Sequence, residues 1–126
     1  MTEIQLIILL LALFGIKHFI CDFLLQFPYM LEQKGIYGAE GGVHHATMHG
    51  VWTWVILLPF LGTMAVFAAL FDMVAHYHID WAKQQLNQGL TPADRTFWVW
   101  FGLDQALHYL TYIVIIGWAV GVFSIN

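Results

Sequence analysis

Four long apolar stretches dominate this sequence, and a chain with so little charge has few ways to fold in water. Of its 126 residues, 60% are hydrophobic and only 10% are charged, whereas a soluble domain carries about 25% charged residues. A helix that crosses a membrane needs about 20 apolar residues. We therefore predict an all-α fold class: one transmembrane domain over residues 1–126, a four-helix bundle running up-down-up-down, with membrane lipid as its surroundings.

Helix breakers divide the chain into these four segments. Pro28 ends the first, since the residue before a proline avoids helical geometry. Pro59 and Gly62 mark a tight turn. Thr91 is the expected N-cap of the fourth helix, with Pro92 in its first position. The predicted helices cover residues 4–25, 43–58, 64–85 and 92–123.

The few cations predict an orientation. Lys34 lies between helices one and two, Lys83 and Arg95 lie where helices three and four are joined, and neither tail contains a cation. Cytoplasmic loops are usually the ones rich in Lys and Arg. We expect a bacterial inner membrane location with both termini outside and a flexible polar loop at 28–42 that acts as a lid. Four cations without a basic patch do not indicate nucleic acid binding.

Each predicted helix carries a pair of imidazole or carboxylate side chains spaced four residues apart. Residues at this spacing lie one above the other on one helix face. Such groups are costly within a bilayer and are usually functional there. The pairs are His18 with Asp22, His45 with His49, His76 with Asp80, and Asp104 with His108.

The four pairs should also share one depth. At 1.5 Å per residue, His18, His49 and Asp104 lie about 10–12 Å inside the cytoplasmic ends of their helices, and His76 lies about 14 Å inside. In an alternating bundle these ends meet on one side. The pairs should therefore converge.

A metal centre is the favoured interpretation of that convergence. Imidazole and carboxylate groups bind zinc, manganese or iron, and four-helix bundles commonly build dinuclear sites from inward-facing ligands. We predict one or two divalent ions, with zinc the first choice. A metal-free hydrogen-bonded network and a proton or ion pathway remain open alternatives. The predicted ligands are all eight residues: His18, Asp22, His45, His49, His76, Asp80, Asp104 and His108.

Several other residues have weaker signals. His44 is expected at the membrane edge in solvent, and His78 lies off the polar stripe but could replace His76. Asp72 could orient His76 or act as a general base. Gly117 and Gly121 form a GxxxG pattern that permits close helix packing or a homo-oligomer.

The four motifs resemble those of a domain-of-unknown-function family of small membrane proteins in bacteria and their phages. HFICDFLLQ, HATMH, HYHIDWAK and DQALH are similar to the family pattern H-x-x-x-D-F-x-L-Q, H-x-x-x-H, H-x-x-I-D-x-x-K and D-Q-x-x-H, in order and over nearly the whole chain. The resemblance favours His76 over His78 and carries no settled activity. A looser similarity is to inner-membrane proteins described as metal-dependent hydrolases.

The leading hypothesis is a metal-dependent hydrolase of a lipid or lipid-linked phosphate or ester at the cytoplasmic leaflet. One or two divalent ions would activate water and polarise the substrate. Besides ligands, Asp72, Asp80 and Asp104 are the candidate catalytic carboxylates. Two hypotheses compete with it: a di-iron oxidative enzyme, and a non-enzymatic membrane protein that carries ions or metal or binds a host partner.

Overall fold

The computed structural model describes residues 1–125, and within them the chain is all-helical, as predicted. Four helices are long, and a short one lies between the first two. Their bounds are Glu3–Phe19 for α1, Pro28–Gln33 for α2, Glu40–Leu61 for α3, Ala65–Leu86 for α4 and Arg95–Ile125 for α5. A π-helical turn, Ile20–Leu24, continues α1, and a 3₁₀ turn, Gly62–Met64, joins α3 to α4.

Three predicted helix ends are wrong by three residues each; one is the start of α3, which is at Glu40 and not at residue 43. Pro59 lies inside α3, which continues to Leu61, because a proline in the last turn of a helix removes a single hydrogen bond. The chain turns at Gly62, which lies within the predicted turn, and φ there is 54°. Thr91 does not cap the fourth helix: its backbone N–H and hydroxyl both donate to Asp94 in a separate turn, and α5 starts after it at Arg95.

The segment between α1 and α3 contains the short helix α2 and is packed against the bundle. The prediction of a flexible loop here is therefore wrong. We call residues 28–38 the cap. A methyl group on Gly41 would lie 2.5 Å from the carbonyl oxygen of Tyr29, so only glycine allows this approach. The Gly41 N–H donates to Gln33 Oε1 at 2.8 Å, and Gln85 donates to the Gly35 carbonyl at 2.8 Å. These contacts hold the cap against α3 and α4.

The bundle interior has an apolar half and a polar half. Residues from the beginnings of α1 and α4 and the ends of α3 and α5 form one hydrophobic cluster: Leu6, Leu10, Phe14, Leu57, Leu61, Ala65, Ala68, Tyr112, Ile115, Ile116 and Ala119. The buried histidines and aspartates lie toward the opposite ends of the same helices. The apolar cluster therefore closes one end of the bundle and leaves the polar groups near the cap.

Three helical stretches are long and apolar enough to cross a membrane: Glu3–Leu24, Glu40–Leu86 and Arg95–Ile125. The second contains both α3 and α4. Large apolar side chains cover the outside, among them Phe67, Phe71 and Leu110, which are each at least 49% exposed. Gly117 and Gly121 lie on an exposed face of α5, where added Cβ atoms would meet nothing within 4 Å. Their predicted role in an oligomer stays a prediction.

Candidate metal centre

The close approach of α3 and α4 brings three histidines together. A Cβ on Gly50 would lie 2.9 Å from the Ala69 carbonyl oxygen, so glycine lets the two helices pack closely. Beside this point the rings of His49 and His76 stack, with centroids 3.5 Å apart. His45, one turn from His49, has its Nε2 atom 3.1 Å from Nε2 of His76. All three imidazoles are at most 1% exposed.

Asp22 of the π-helical turn completes the first donor group. Its Oδ1 atom lies 2.9 Å from His49 Nε2, 3.1 Å from His45 Nε2 and 3.7 Å from His76 Nε2. Four ligands at 2.0–2.1 Å from a tetrahedral zinc ion are about 3.3 Å from one another. The observed separations are close to that value. Asp22, His45, His49 and His76 thus form one group that could hold a metal ion.

A second donor group shares His76 with the first. It consists of His76, Asp80 and His108. Asp80 Oδ1 lies 3.2 Å from His108 Nε2, and Asp80 Oδ2 lies 3.4 Å from both His76 and His45. The rings of His76 and His108 stack at 4.0 Å. His76 faces both carboxylates through Nε2, and this nitrogen can bind one ion at a time, so a second ion in the neighbouring group would depend on Asp80 and His108.

The remaining two predicted ligands, His18 and Asp104, lie beside these groups and not within them. Tyr112 and Gln105 are at 2.8 Å from His18 Nδ1 and Nε2, so both ring nitrogens have partners. Gln105 also donates to Asp104 Oδ2 at 3.0 Å. Asp104 Oδ1 is buried, accepts no hydrogen bond, and lies 3.4 Å from His108. Their predicted role as ligands stays a prediction.

The chemistry of the donor set fits a divalent metal. The Nε2 atoms of three histidines face one another and two carboxylates within 3.7 Å. A mixed imidazole and carboxylate set is suited to zinc, iron or manganese. The Nδ1 atoms of His45 and His76 have no hydrogen-bond partner, so the usual outer partners of ligating histidines are lacking for these two.

Other histidines face outward, and the structure places His76 rather than His78 in the donor groups. His78 is exposed and contacts Tyr37 at 3.0 Å. His44 is also exposed, as expected, with its ring 3.3 Å from the Tyr29 hydroxyl. Substitutions of His44 and His78 can therefore serve as controls for substitutions of the buried His45 and His76.

Asp72 makes different contacts from those expected of a partner for His76. It is fully buried and pairs with the ammonium group of Lys17, which also donates to Thr53 Oγ1 at 2.9 Å. The Thr53 hydroxyl in turn donates to Asp72. Lys17 Nζ lies 4.6 Å from the ring centroid of Tyr112. These four residues come from four different helices, and Tyr112 is also a member of the apolar cluster.

The sequence reasoning missed Lys17, Tyr112 and the role of Lys34. Lys17 had a usable signal, because a lysine in the middle of an apolar helix needs a buried partner. No sequence pattern pointed to Tyr112. Its hydroxyl lies 2.8 Å from His18 Nδ1 and 3.5 Å from His49 Nδ1. Lys34 extends from the cap and donates to Asp80 Oδ2 at 3.1 Å.

Residues 6–125 match the model of one family, described as a protein of unknown function (DUF3307). The chain belongs to that family. Neither the curated proteins nor the solved structures gave a match. Membership in DUF3307 agrees with the resemblance found from the motifs, and it brings no activity with it.

Proposed function

We propose that this DUF3307 protein is a membrane-embedded hydrolase whose centre binds one or two divalent metal ions. The single observation that supports it best is the pair of adjacent donor groups that share His76. The substrate would be a lipid or lipid-linked phosphate or ester at the cytoplasmic leaflet. The proposal places four alternating helices across the bacterial inner membrane with both termini outside.

The surface and the interior both support membrane embedding. Apolar side chains are exposed on every long helix, while the aspartates and the histidines of the four pairs are buried together. A soluble protein would have the reverse distribution. Because the apolar cluster fills the end of the interior opposite the cap, the buried polar groups do not extend along the whole bundle. That arrangement disfavours a pathway for ions through a single chain.

The chain supplies groups for hydrolysis around the donor groups. A bound divalent ion would polarise a phosphoryl or acyl oxygen and make water more acidic. Asp104 Oδ1 is directed toward His108 and has no hydrogen-bond partner, so it can accept a proton from the attacking water. Asp80 contacts both a histidine of the second group and Lys34, which suits a ligand. Asp72 is held by Lys17 and Thr53, away from this role.

Metal content of the purified protein tests the first step of the proposal. The protein is extracted in detergent without chelators, and bound metals are measured by elemental analysis. We expect His45→Ala and His76→Ala to lose metal, whereas His44→Ala and His78→Ala, their exposed neighbours, keep it. Tight sites of this kind retain their ion through purification, so less than about 0.2 metal per wild-type chain would refute the proposal.

Turnover tests the second step. Phosphate release from a short-chain phosphatidic acid and p-nitrophenol release from a short-chain ester are followed with the metal-loaded protein. We expect release of at least one product, and its loss in His76→Ala but not in His78→Ala. If the loaded protein releases neither product, the hydrolase assignment fails even though the metal site stands.

An oxidative di-iron enzyme is the second candidate for the two adjacent donor groups. Iron is a suitable metal for this donor set. Di-iron sites in bundles are usually rich in glutamate, however, and Glu3, Glu32 and Glu40 are all exposed. Iron as the dominant metal, with a spectroscopic signature of two coupled ions, would favour this candidate over zinc-dependent hydrolysis.

A further inference from the structure

We infer that Lys34 and Lys83 form the anion-binding part of this centre, and that they hold the phosphate group of a phosphorylated lipid whose chain enters between α4 and α5. This inference rests on the proposed function and specifies its substrate class. It is argued from the charge of the centre, the position of each lysine and the surface beside Lys83.

The charge of the centre comes first. Three carboxylates, Asp22, Asp80 and Asp104, face two ammonium groups, Lys34 and Lys83. With neutral histidines the formal charge is −1. One divalent ion changes it to +1, and two ions change it to +3. A loaded centre in surroundings of low dielectric is therefore incomplete without an anion, and a neutral ester would leave this charge uncompensated.

Lys34 is placed over the second donor group by the cap. Its side chain is 4% exposed, and Nζ donates to Gln26 Oε1 at 2.7 Å and to Asp80 Oδ2 at 3.1 Å. The ammonium group has three N–H donors, so these acceptors use two of them. When Asp80 ligates a metal ion, its carboxylate shares its charge with that ion. The remaining N–H group of Lys34 could then donate to an oxyanion bound beside the metal.

Lys83 is held more loosely on the α4 side. Its Nζ atom is 3.9 Å from Asp104 Oδ2, which is beyond hydrogen-bond distance, and its side chain is 12% exposed. It can therefore turn toward an incoming anion at a small cost. Lysine is a common point-charge ligand of phosphate. The chain's other two cations are not available here, because Lys17 pairs with Asp72 and Arg95 is exposed at the start of α5.

A shallow groove on the surface between α4 and α5 includes Lys83 in its lining. It has a volume of about 40 Å³, and its apolar walls come from both α4 and α5. Ala82 and Leu86 of α4 and Trp100 and Leu103 of α5 line it, together with Lys83 and Asp104. Apolar walls ending at a cation complement a molecule with an acyl chain and an anionic head group. Free phosphate would gain nothing from these walls.

Equilibrium binding separates the sources of the anion. The probes are dioctanoyl phosphatidic acid, dioctanoylglycerol and inorganic phosphate, each titrated against zinc-loaded protein in detergent. We expect the phosphatidic acid to bind at least about tenfold more tightly than either of the other two, since each lacks one half of the recognition. Equal binding of the glycerol compound would overturn the role of the lysines, and equal binding of inorganic phosphate would overturn the lipid source.

Variants locate the binding. Lys83→Met and Lys34→Met should each weaken phosphatidic acid binding about tenfold or more, the effect of one charged hydrogen bond. Ala82→Trp, which fills the groove, should weaken it as well. Ala106→Trp is the control, because Ala106 is exposed at the same level of α5 and does not line the groove. Wild-type affinity in Lys83→Met would refute the inference, and this variant decides the matter if Lys34→Met fails to fold.

The binding and turnover experiments can fail separately. Lysine-dependent binding without hydrolysis would refute the proposed hydrolase and leave this inference standing. Hydrolysis of the neutral ester by a protein that does not bind phosphatidic acid would refute the inference and leave the hydrolase standing.

Discussion

Replacing Lys17 by methionine should destabilise the bundle strongly, because it leaves Asp72 charged and almost alone. Both side chains of this ion pair are 1% exposed. In the native protein Asp72 has the lysine ammonium and the Thr53 hydroxyl as partners, and its Oδ1 atom has no hydrogen bond at all. Methionine has a similar length and no charge, so the change removes the cation with little loss of volume.

The structure sets the size of this effect. Removing one partner of a buried ion pair costs about 3–5 kcal/mol, since the other charge stays buried without compensation. The hydroxyl of Thr53 still donates to Asp72, so we expect the lower part of that range, about 3 kcal/mol. Replacing both charges, in Lys17→Met with Asp72→Asn, should recover most of the loss and leave the protein within about 1 kcal/mol of wild type.

Unfolding in mixed micelles with increasing SDS, followed by circular dichroism, measures these free energies. Arg95→Met is the control, because this cation is exposed and its removal should change stability by less than about 0.5 kcal/mol. The reasoning is refuted if Lys17→Met costs less than about 1 kcal/mol, or if the double variant is no more stable than the single one.

Two further changes test the surroundings of the donor groups. Tyr112→Phe removes the hydroxyl beside Nδ1 of His18 and His49, and we expect zinc affinity, measured by chelator competition, to fall about 10–100-fold while the helix content is kept; an unchanged affinity would show that Tyr112 does not orient these rings. Gly41→Ala places a methyl group 2.5 Å from a cap carbonyl and should cost about 1–3 kcal/mol and expose the cap to protease, whereas Gly15→Ala, where a Cβ meets nothing within 4 Å, should do neither.

Much of the candidate centre was predictable because it depends on helix periodicity. The spacing of four residues fixes that His45 and His49 share a face, and the rise per residue fixes the depth of each pair. Those two rules depend on local geometry alone. Six of the eight ligands predicted with these rules lie in the two donor groups. The choice of His76 over His78 came from the family motif.

The contacts that were missed depend on how each helix is rotated against its neighbours. Asp72 is four residues from His76, so the sequence pattern assigns the two to one stripe. In the structure Asp72 lies one turn farther from the cap, where Lys17 of another helix reaches it. The predicted flexible loop at 28–42 is wrong for a different reason: glycine in a sequence is compatible with flexibility and with close packing, and Gly41 permits close packing of α3 against Tyr29.

The π-helical turn at Ile20–Leu24 gives the first helix one residue more than a regular helix would have over the same path. Its wider hydrogen bond joins the Leu25 N–H to the Ile20 carbonyl, and Gln26, just beyond, contacts both Asp22 and Lys34. Deleting one residue here would restore a regular helix and rotate everything after it by about 100°. When members of the family are aligned, a one-residue gap within 20–24 would therefore mark a chain that has lost its link between centre and cap, even where every histidine and aspartate remains.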